Sequence, residues 1–417
     1  MLSRRIKTFG VDRRSFVVAV VGAFLWYVLD DLFAGLVGFG LFYGLALAVD
    51  IVRDGTAPAP VGPFLRFLDT FVLSPRSVRA QVVQTPHGEV VDVGGLEVEA
   101  YSLSSTGGPR GEAEPRSVES VDQLGRFLDR LTPDREVFWV RQGAACHAFV
   151  VGPEGFTWAG LPLPSGMPAG FGASVKVDRL GPRAALGVFC AFADGRALDG
   201  LAGPLPAVPV PAVPAGVEAR APSVRITAAP RGASVGGTLY GLWSCTAPPR
   251  EISPGSSAEL FAMLPPSAVV VATWRPWASV RAGLRLRAVV RHWYASRWSF
   301  TQSLLESMAE EGGRLQRDYD DLEAARRELG EGSHAYGDFT LSVAVPGAPA
   351  EFGALDAQVR AAFESVGAGV VRESDRPVTA WHGRLCGRPY RAGVRRLFVS
   401  SAVAACLTPP FDAGAAG

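Results

Sequence analysis

The chain has 417 residues, 48% of them hydrophobic, and its 41 basic and 40 acidic side chains give a formal net charge of +1. This length and composition provide a large hydrophobic core and leave room for two or three domains. The balanced charge excludes a general electrostatic attraction to nucleic acid, so a nucleic-acid site would need a local basic patch.

A long apolar segment runs from Ser15 to Val49 and is interrupted only by the adjacent Asp30 and Asp31. At about 1.5 Å per residue, each half approaches the thickness of the hydrocarbon core of a bilayer. Basic residues flank both ends, as they do in cytoplasmic segments beside membrane spans. We therefore expect a transmembrane helical hairpin with both ends in the cytoplasm, and a single tilted span is the alternative. The expected membrane residues are Phe16, Trp26, Tyr27, Asp30, Asp31, Phe42 and Tyr43.

The five cysteines are widely spaced, and none belongs to a C-x-x-C motif: they are Cys146, Cys190, Cys245, Cys386 and Cys406. This spacing supports neither a disulfide framework nor a zinc ribbon. We expect reduced, mostly buried thiols, which agrees with a cytoplasmic location for the bulk of the chain. Neither a metal nor a cofactor is expected in this chain.

The first half after the apolar segment has the pattern of a β-rich region. Apolar residues alternate loosely from Val78 to Leu103 around Gly94 and Gly95, which predicts β-hairpins. The segment from Ser117 to Leu131 has apolar residues at helical spacing and predicts an amphipathic helix. Val137 to Val151 then predicts a buried strand hairpin that turns near Gln142 and Gly143.

The segment from Leu201 to Pro222 is dense in Pro, Ala and Val, which excludes a helix or a central strand and indicates a linker or a long surface loop. It marks the internal boundary that the sequence predicts. The expected units are a membrane hairpin anchor at 1–56, a β-rich α+β region at 57–200, the linker at 201–223 and an α+β module at 224–417.

The second half contains two helical patterns. Trp277 to Tyr294 has arginines four residues apart and tryptophans nearby, which makes it the one basic and aromatic cluster of the chain. We weigh contact with nucleic acid or lipid headgroups there against a solvated face over a core stripe, and we favour the solvated face. The expected stripe is Leu286, Val289, Val290 and Trp293. The four arginines of this first pattern are Arg281, Arg285, Arg287 and Arg291.

The second pattern, from Ser299 to Leu329, is the longest helical pattern of the chain.

The remaining elements complete an α+β pattern. We expect a strand from Phe339 to Val345, a helix from Pro349 to Val366, a strand from Gly369 to Arg372, an extended piece from Val378 to Trp381 and an apolar segment from Leu397 to Leu407. The predicted fold class is therefore α+β, with an N-terminal transmembrane helical hairpin followed by cytoplasmic mixed α+β domains.

Nucleotide hydrolysis is not indicated, because a P-loop needs a lysine directly after a glycine, and neither Lys7 nor Lys176 follows a glycine. Thiol catalysis is also not indicated. Cys146 and His147 are adjacent on a predicted strand and would point to opposite faces.

His382 and Cys386 lie four residues apart, as a pair on one face of a helix would. Gly383, Gly387 and Pro389 argue against such a helix, so a metal or catalytic pair is not expected there.

From Arg297 to Leu407 the order of elements resembles the N-terminal region of the CagE/TrbE/VirB family of type IV secretion and conjugative-transfer ATPases. A long charged helix is followed by a Tyr-Gly strand motif, a helix, a second strand and a Trp-anchored strand. The N-terminal segment likewise resembles the short VirB/TrbD-like membrane hairpin subunit that is sometimes fused before the ATPase. Cys386 stands where the family has Pro, and Gly417 lies about where its nucleotide-binding domain would begin. The matching residues are Tyr336, Gly337, Trp381, Leu385 and Gly387.

The resemblance implies a membrane-anchored, non-catalytic component that docks the motor to the bacterial inner-membrane channel. Its expected partners are the inner membrane and other secretion subunits, including an ATPase core that binds ATP in a separate domain. Direct nucleic-acid contact is not expected, and a homo-oligomer stays open. The alternatives are a membrane-bound enzyme of unknown reaction and an inactive remnant of the ATPase gene.

Overall fold

The computed structural model describes most of the chain between residues 78 and 408 and two short strands nearer the N-terminus. The described ranges are 7–8, 11–12, 78–85, 88–105, 113–143, 145–153, 170–171, 175–196, 198, 219–229, 231–249, 252–254, 256–297, 311–385 and 395–408.

Strands dominate the described part. β1 and β2 pair only with each other, and the remaining strands form one fifteen-stranded sheet in which neighbours run antiparallel. The strands are β1 (Lys7–Thr8), β2 (Val11–Asp12), β3 (Val78–Thr85), β4 (Gly88–Val93), β5 (Leu96–Ser105), β6 (Glu136–Gln142), β7 (Ala145–Pro153), β8 (Gly170–Phe171), β9 (Val175–Arg179), β10 (Ala219–Ala221), β11 (Ile226–Ala229), β12 (Gly232–Val235), β13 (Thr238–Ala247), β14 (Val269–Pro276), β15 (Tyr336–Pro346), β16 (Gly369–Arg372) and β17 (Leu397–Ser400).

Helices cover both faces of this sheet. They are α1 (Ala113–Asp129), α2 (Pro182–Ala193), α3 (Ser256–Met263), α4 (Ser279–Arg297), α5 (Glu311–Glu331), α6 (Phe352–Ser365), α7 (Pro377–Gly383) and α8 (Ser401–Leu407). One core cluster joins α1, α3, α6 and α8 to the side of the sheet that we call face A. The other joins α2 and α7 to the opposite side, face B. The described architecture is three-layered, because both faces of the central strands are apolar.

The sheet has the main strand order β10-β3-β4-β5-β7-β6-β14-β15-β13-β12-β11. β9 pairs with the end of β5 beyond β4, and β16 pairs with the end of β13 beyond β12. β6 and β14 lie at the middle. Moving outward from the middle, the strands are β6, β7, β5, β4 and β3 on one side and β14, β15, β13, β12 and β11 on the other, so each strand has a counterpart at the same position. The chain is therefore built from two similar halves.

The clearest sequence mark of this duplication is a pair of hairpin turns. Gly94 and Gly95 have φ of 64° and 85°, and Gly236 and Gly237 have φ of 58° and 91°. Two-residue turns with positive φ at both positions match the twist of the flanking strands and favour glycine. Each turn follows a valine and leads into a long strand, β5 or β13.

Hydrogen bonds and strand register repeat as well. Leu180 N–H donates to the carbonyl of Ala100 at 2.8 Å, and Glu373 N–H donates to Leu242 at 2.8 Å in the equivalent place. After each bond the chain enters a helix with Pro in its first turn, α2 or α7. One row of directly paired residues runs across both halves of the sheet, and we call it the rung. The pairing of β6 with β14 lies at the centre of the rung, and a pseudo-twofold axis passes through it. The rung is Ser102, His147, Val140, Val271, Ser342 and Ser244.

The halves differ most in one connection. β6 and β7 join through a tight turn, with Gln142 paired directly to Ala145 and Gly143 at a φ of 56°. The equivalent connection, between β14 and β15, contains α4 and α5, which we call the arm. The arm is therefore an insertion into a scaffold whose other half does without it.

The predicted fold class is wrong. Within the described ranges, no helix is both long and apolar enough to cross a membrane. The predicted hairpin, with its membrane residues Phe16, Trp26, Tyr27, Asp30, Asp31, Phe42 and Tyr43, lies outside the described residues. In place of separate mixed α+β domains, the described residues form one large antiparallel sheet. Strands buried on both faces give short apolar runs, and local pattern does not show which distant runs pair.

Strands from both sides of the expected linker at 201–223 belong to this sheet, since β6 pairs with β14. β10 lies within the linker itself and pairs with β3 at the edge of the sheet. At the level of single elements, the predicted hairpins of the first half and its amphipathic helix are confirmed. The extended piece predicted from Val378 to Trp381 is wrong, because those residues lie in α7. Pro377 fits the first turn of a helix, where its missing N–H is not needed.

Candidate functional site

The adjacent Cys146 and His147 lie on β7 and point to opposite faces of the sheet, as predicted. Cys146 belongs to the face A core, whereas the flanking Ala145 and Phe149, on the same side as His147, belong to the face B core. Burial raises the pKa of the Cys146 thiol to about 11 and lowers the pKa of His147 to about 4. A protonated thiol and a neutral imidazole on opposite faces do not form a nucleophile and its base.

The second predicted pair is not brought together by the described structure. His382 is buried in α7, and Cys386 lies outside the described residues. Burial also raises the pKa of the Cys190, Cys245 and Cys406 thiols, to about 11, 12 and 11. Among the described residues no group of His, Cys, Asp and Glu could hold a metal ion.

Face B carries buried polar side chains that bond to one another. Thr273 and Thr340 face each other across β14 and β15 with their hydroxyl oxygens 2.6 Å apart. The Arg395 guanidinium donates to the Glu373 carboxylate at 2.8 Å. Burial raises the pKa of Glu373, while Arg395 opposes this shift. These pairs satisfy each other, so they stabilise the sheet and are not poised for chemistry.

Arg384 follows α7 and is buried without a carboxylate partner among the described residues. Its Nη2 donates to the carbonyl of Val269 at 2.6 Å, and its guanidinium lies 5.2 Å from the ring centroid of Trp381 and 5.8 Å from that of Phe192. Burial lowers its pKa to about 9, so it remains charged at neutral pH. It connects α7 to the sheet and to α2.

The residues that carry the family resemblance divide between two places. Trp381 and Leu385 are buried in the face B core, and Trp381 Nε1 donates to the carbonyl of Ala193 at 3.2 Å. Tyr336 and Gly337 lie instead at the start of β15, where the arm ends. Gly387 lies outside the described residues. The motif therefore marks two packing positions and does not form a single site.

The root of the arm is fixed by the strands that it joins. Trp277 N–H donates to the carbonyl of Tyr336 at 2.9 Å, which extends the β14–β15 register by one pair. The Tyr336 hydroxyl donates to Glu328 at 2.9 Å, and burial raises the pKa of Tyr336. The ring of Phe398 lies 5.1 Å from Trp277 and 5.8 Å from Tyr336. The arm thus leaves the sheet from a rigid base.

The described part of α4 has two unlike faces. Ala282, Leu286 and Val289 are buried, although they belong to neither core cluster of the sheet. The opposite side exposes Val280 and Leu284, one turn apart. The predicted core stripe is confirmed at Leu286 and Val289.

Arginines flank this exposed side. Arg281, Arg285 and Arg287 are exposed, as the predicted solvated face requires, and the Arg281 guanidinium lies 4.1 Å above the ring of Trp277. The side chain of Arg291 lies outside the described residues. We define the docking ridge as Val280, Leu284, Arg281, Arg285 and Arg287. The apolar centre of the ridge was not predicted from the sequence, although the spacing of Val280, Leu284 and Ala288 indicates it.

Comparison with known proteins adds no family to this description. No protein-family model matches the chain, and no curated protein matches it. The fold and the site therefore define the protein only as a duplicated antiparallel sheet that carries a helical arm.

Proposed function

We propose that this protein is a non-catalytic docking subunit of a larger assembly and that the arm is its docking element. The observation that carries this proposal is the insertion of α4 and α5 where the other half of the fold makes a tight turn. A scaffold that closes without the arm has no structural need for it. The exposed docking ridge supplies the arm with a surface for a partner.

The absence of a supported catalytic constellation favours docking over the alternative of a membrane-bound enzyme. In the described part of the chain, the thiols are buried or half-buried and protonated, and His147 lies on the opposite face of the sheet from Cys146. The polar pairs of face B bond within the sheet. None of these groups combines a nucleophile with a base in an accessible cleft.

The resemblance of residues 297–407 suggests which assembly to test. We propose a type IV secretion or conjugal transfer apparatus at the bacterial inner membrane, with the bulk of this chain in the cytoplasm. In that setting the arm would contact the motor, and a separate ATPase subunit would bind and hydrolyse ATP. The proposed contact does not depend on whether the secreted cargo is DNA or protein.

Replacing residues 279–333 with a four-residue Gly-Ser linker tests the docking role. We expect the sheet to remain folded, because the β6–β7 connection shows that such strands can join by a short turn. Co-purification with a motor ATPase of this class should fall at least tenfold. Met263→Glu, which changes an exposed side chain on α3, is the matched control and should bind as the unaltered chain does.

Two results would contradict the proposal. One is a linker variant that is folded, as judged by a cooperative urea transition, and still binds the motor normally. The other is ATP turnover by the purified chain in the absence of any motor subunit.

A further inference from the structure

We propose that the docking ridge on α4 binds an acidic amphipathic helix of a protein partner. This inference rests on the proposed docking function and adds the chemistry of the partner. The helix would place apolar side chains over Val280 and Leu284 and carboxylates beside the flanking arginines. Recognition of this kind uses anchors spaced three or four residues apart on the helix that binds.

The apolar centre of the ridge is unusual for this protein. Large apolar side chains of the described residues are mostly buried, and the exposed ones are Val280 at 77%, Leu284 at 56% and Met263 at 40%. Single exposed apolar residues are ordinary on protein surfaces. Two of these three, however, stand one turn apart on the same helix, where they form a narrow strip.

The charge on α4 itself has one sign, whereas its neighbour α5 carries acidic residues as well as basic ones. α4 contains no acidic residue along its whole length, and Arg281, Arg285 and Arg287 are exposed. The ion pairs seen within the described ranges do not include these three arginines. Because these arginines have no ion pair among the described residues, their positive charge favours a partner that supplies carboxylates.

Part of the ridge is already ordered for binding. The Arg281 guanidinium stacks 4.1 Å above Trp277, which is itself fixed by its bond to Tyr336 and its contact with Phe398. A side chain held in this way loses less conformational freedom when it binds a carboxylate.

The arrangement favours a helix over a nucleic acid or a lipid surface. A phosphate backbone offers charge but no apolar strip to cover Val280 and Leu284. A helix that lies on a membrane presents a broad apolar face, whereas this strip is one side chain wide and two side chains long. A narrow apolar seam with carboxylates on both sides is the complement that an acidic amphipathic helix supplies.

The probe is a fluorescein-labelled, 21-residue designed helix with Leu at i, i+4 and i+7 positions and Glu on either side. We expect it to bind the purified full chain, with affinity that falls as salt rises. Leu284→Glu and Arg285→Glu should each weaken binding at least tenfold in anisotropy titrations. Met263→Glu and Arg225→Glu, exposed changes of the same kinds outside the arm, should leave it unchanged.

Several outcomes would overturn the inference. They are equal binding of a scrambled peptide of the same composition, no binding of the helix, or preferential binding of the ridge to vesicles with 30% phosphatidylglycerol or to a 20-base-pair DNA duplex. A dimer in light scattering that Leu284→Glu abolishes would assign the ridge to self-association instead. If the peptide fails while the arm-deleted chain still loses the motor ATPase, the docking function stands and only the partner chemistry falls.

Discussion

Replacing Gly337 with alanine is expected to destabilise the protein by about 3 kcal/mol, the upper range for overpacking in a rigid site. A Cβ at this position would collide with the carbonyl oxygen of Arg275 and would lie 2.8 Å from the Cα of Pro276. Both are backbone atoms of β14, and β17 pairs with the other edge of β15 at the same residue. The strand therefore has no lateral freedom, and the arm would lose the alignment of its root.

Gly330→Ala is the matched control for this prediction. Gly330 lies within α5, and a Cβ there meets nothing within 4 Å. In a helix alanine is favoured over glycine by about 1 kcal/mol, so we expect no loss of stability. Equilibrium urea unfolding of the full chain measures both variants. A Gly337→Ala chain within 1 kcal/mol of the unaltered protein would show that the contact is relieved without cost.

Local hairpins were the most predictable part of this fold, because each one is written in a few neighbouring residues. Gly94 and Gly95 between alternating apolar strands predicted the β4–β5 turn, and Gly143 marked the β6–β7 turn. Such turns need glycine at positive φ, so sequence and geometry are directly linked.

Long-range architecture was not predictable in the same way. The pairing of β6 with β14 joins residues far apart in the chain, and no local pattern specifies it. A sequence signal for the duplication does exist, since Val-Gly-Gly occurs at residues 93–95 and again at 235–237. Comparing the two hairpins directly would have predicted two similar halves.

The candidate site shows a similar division. Opposite faces for Cys146 and His147 followed from strand geometry alone and are confirmed. The apolar centre of the docking ridge was not predicted, because arginines dominate the sequence pattern of α4. The assignment of the ridge as a candidate site also depends on the arm being an insertion. The insertion is recognised only when the β6–β7 connection is compared with the β14–β15 connection in the folded protein.

His147 is expected to make the stability of the protein depend on pH. Burial lowers its pKa in the folded protein to about 4, from its ordinary value of 6.5. Between these values the unfolded chain binds a proton that the folded chain does not, so stability is fully present above pH 6.5 and is lost as the pH falls toward 4. At about 1.4 kcal/mol per pKa unit, the loss attributable to this residue is about 3 kcal/mol.

Carboxylates also titrate in this range, so the test compares the pH dependence of variants and not one stability value. His147→Leu keeps an apolar side chain on the face B side of β7 and removes the titrating group, and we expect about 3 kcal/mol less loss between pH 7 and pH 4 than in the unaltered chain. Phe149→Leu alters the same strand and the same core without changing a titrating group, and it should retain the full dependence. Urea unfolding at four pH values in this interval measures all three proteins. If the His147→Leu chain followed the same curve as the Phe149→Leu chain, the enclosed imidazole would have to be protonated as readily in the folded state as in the unfolded one.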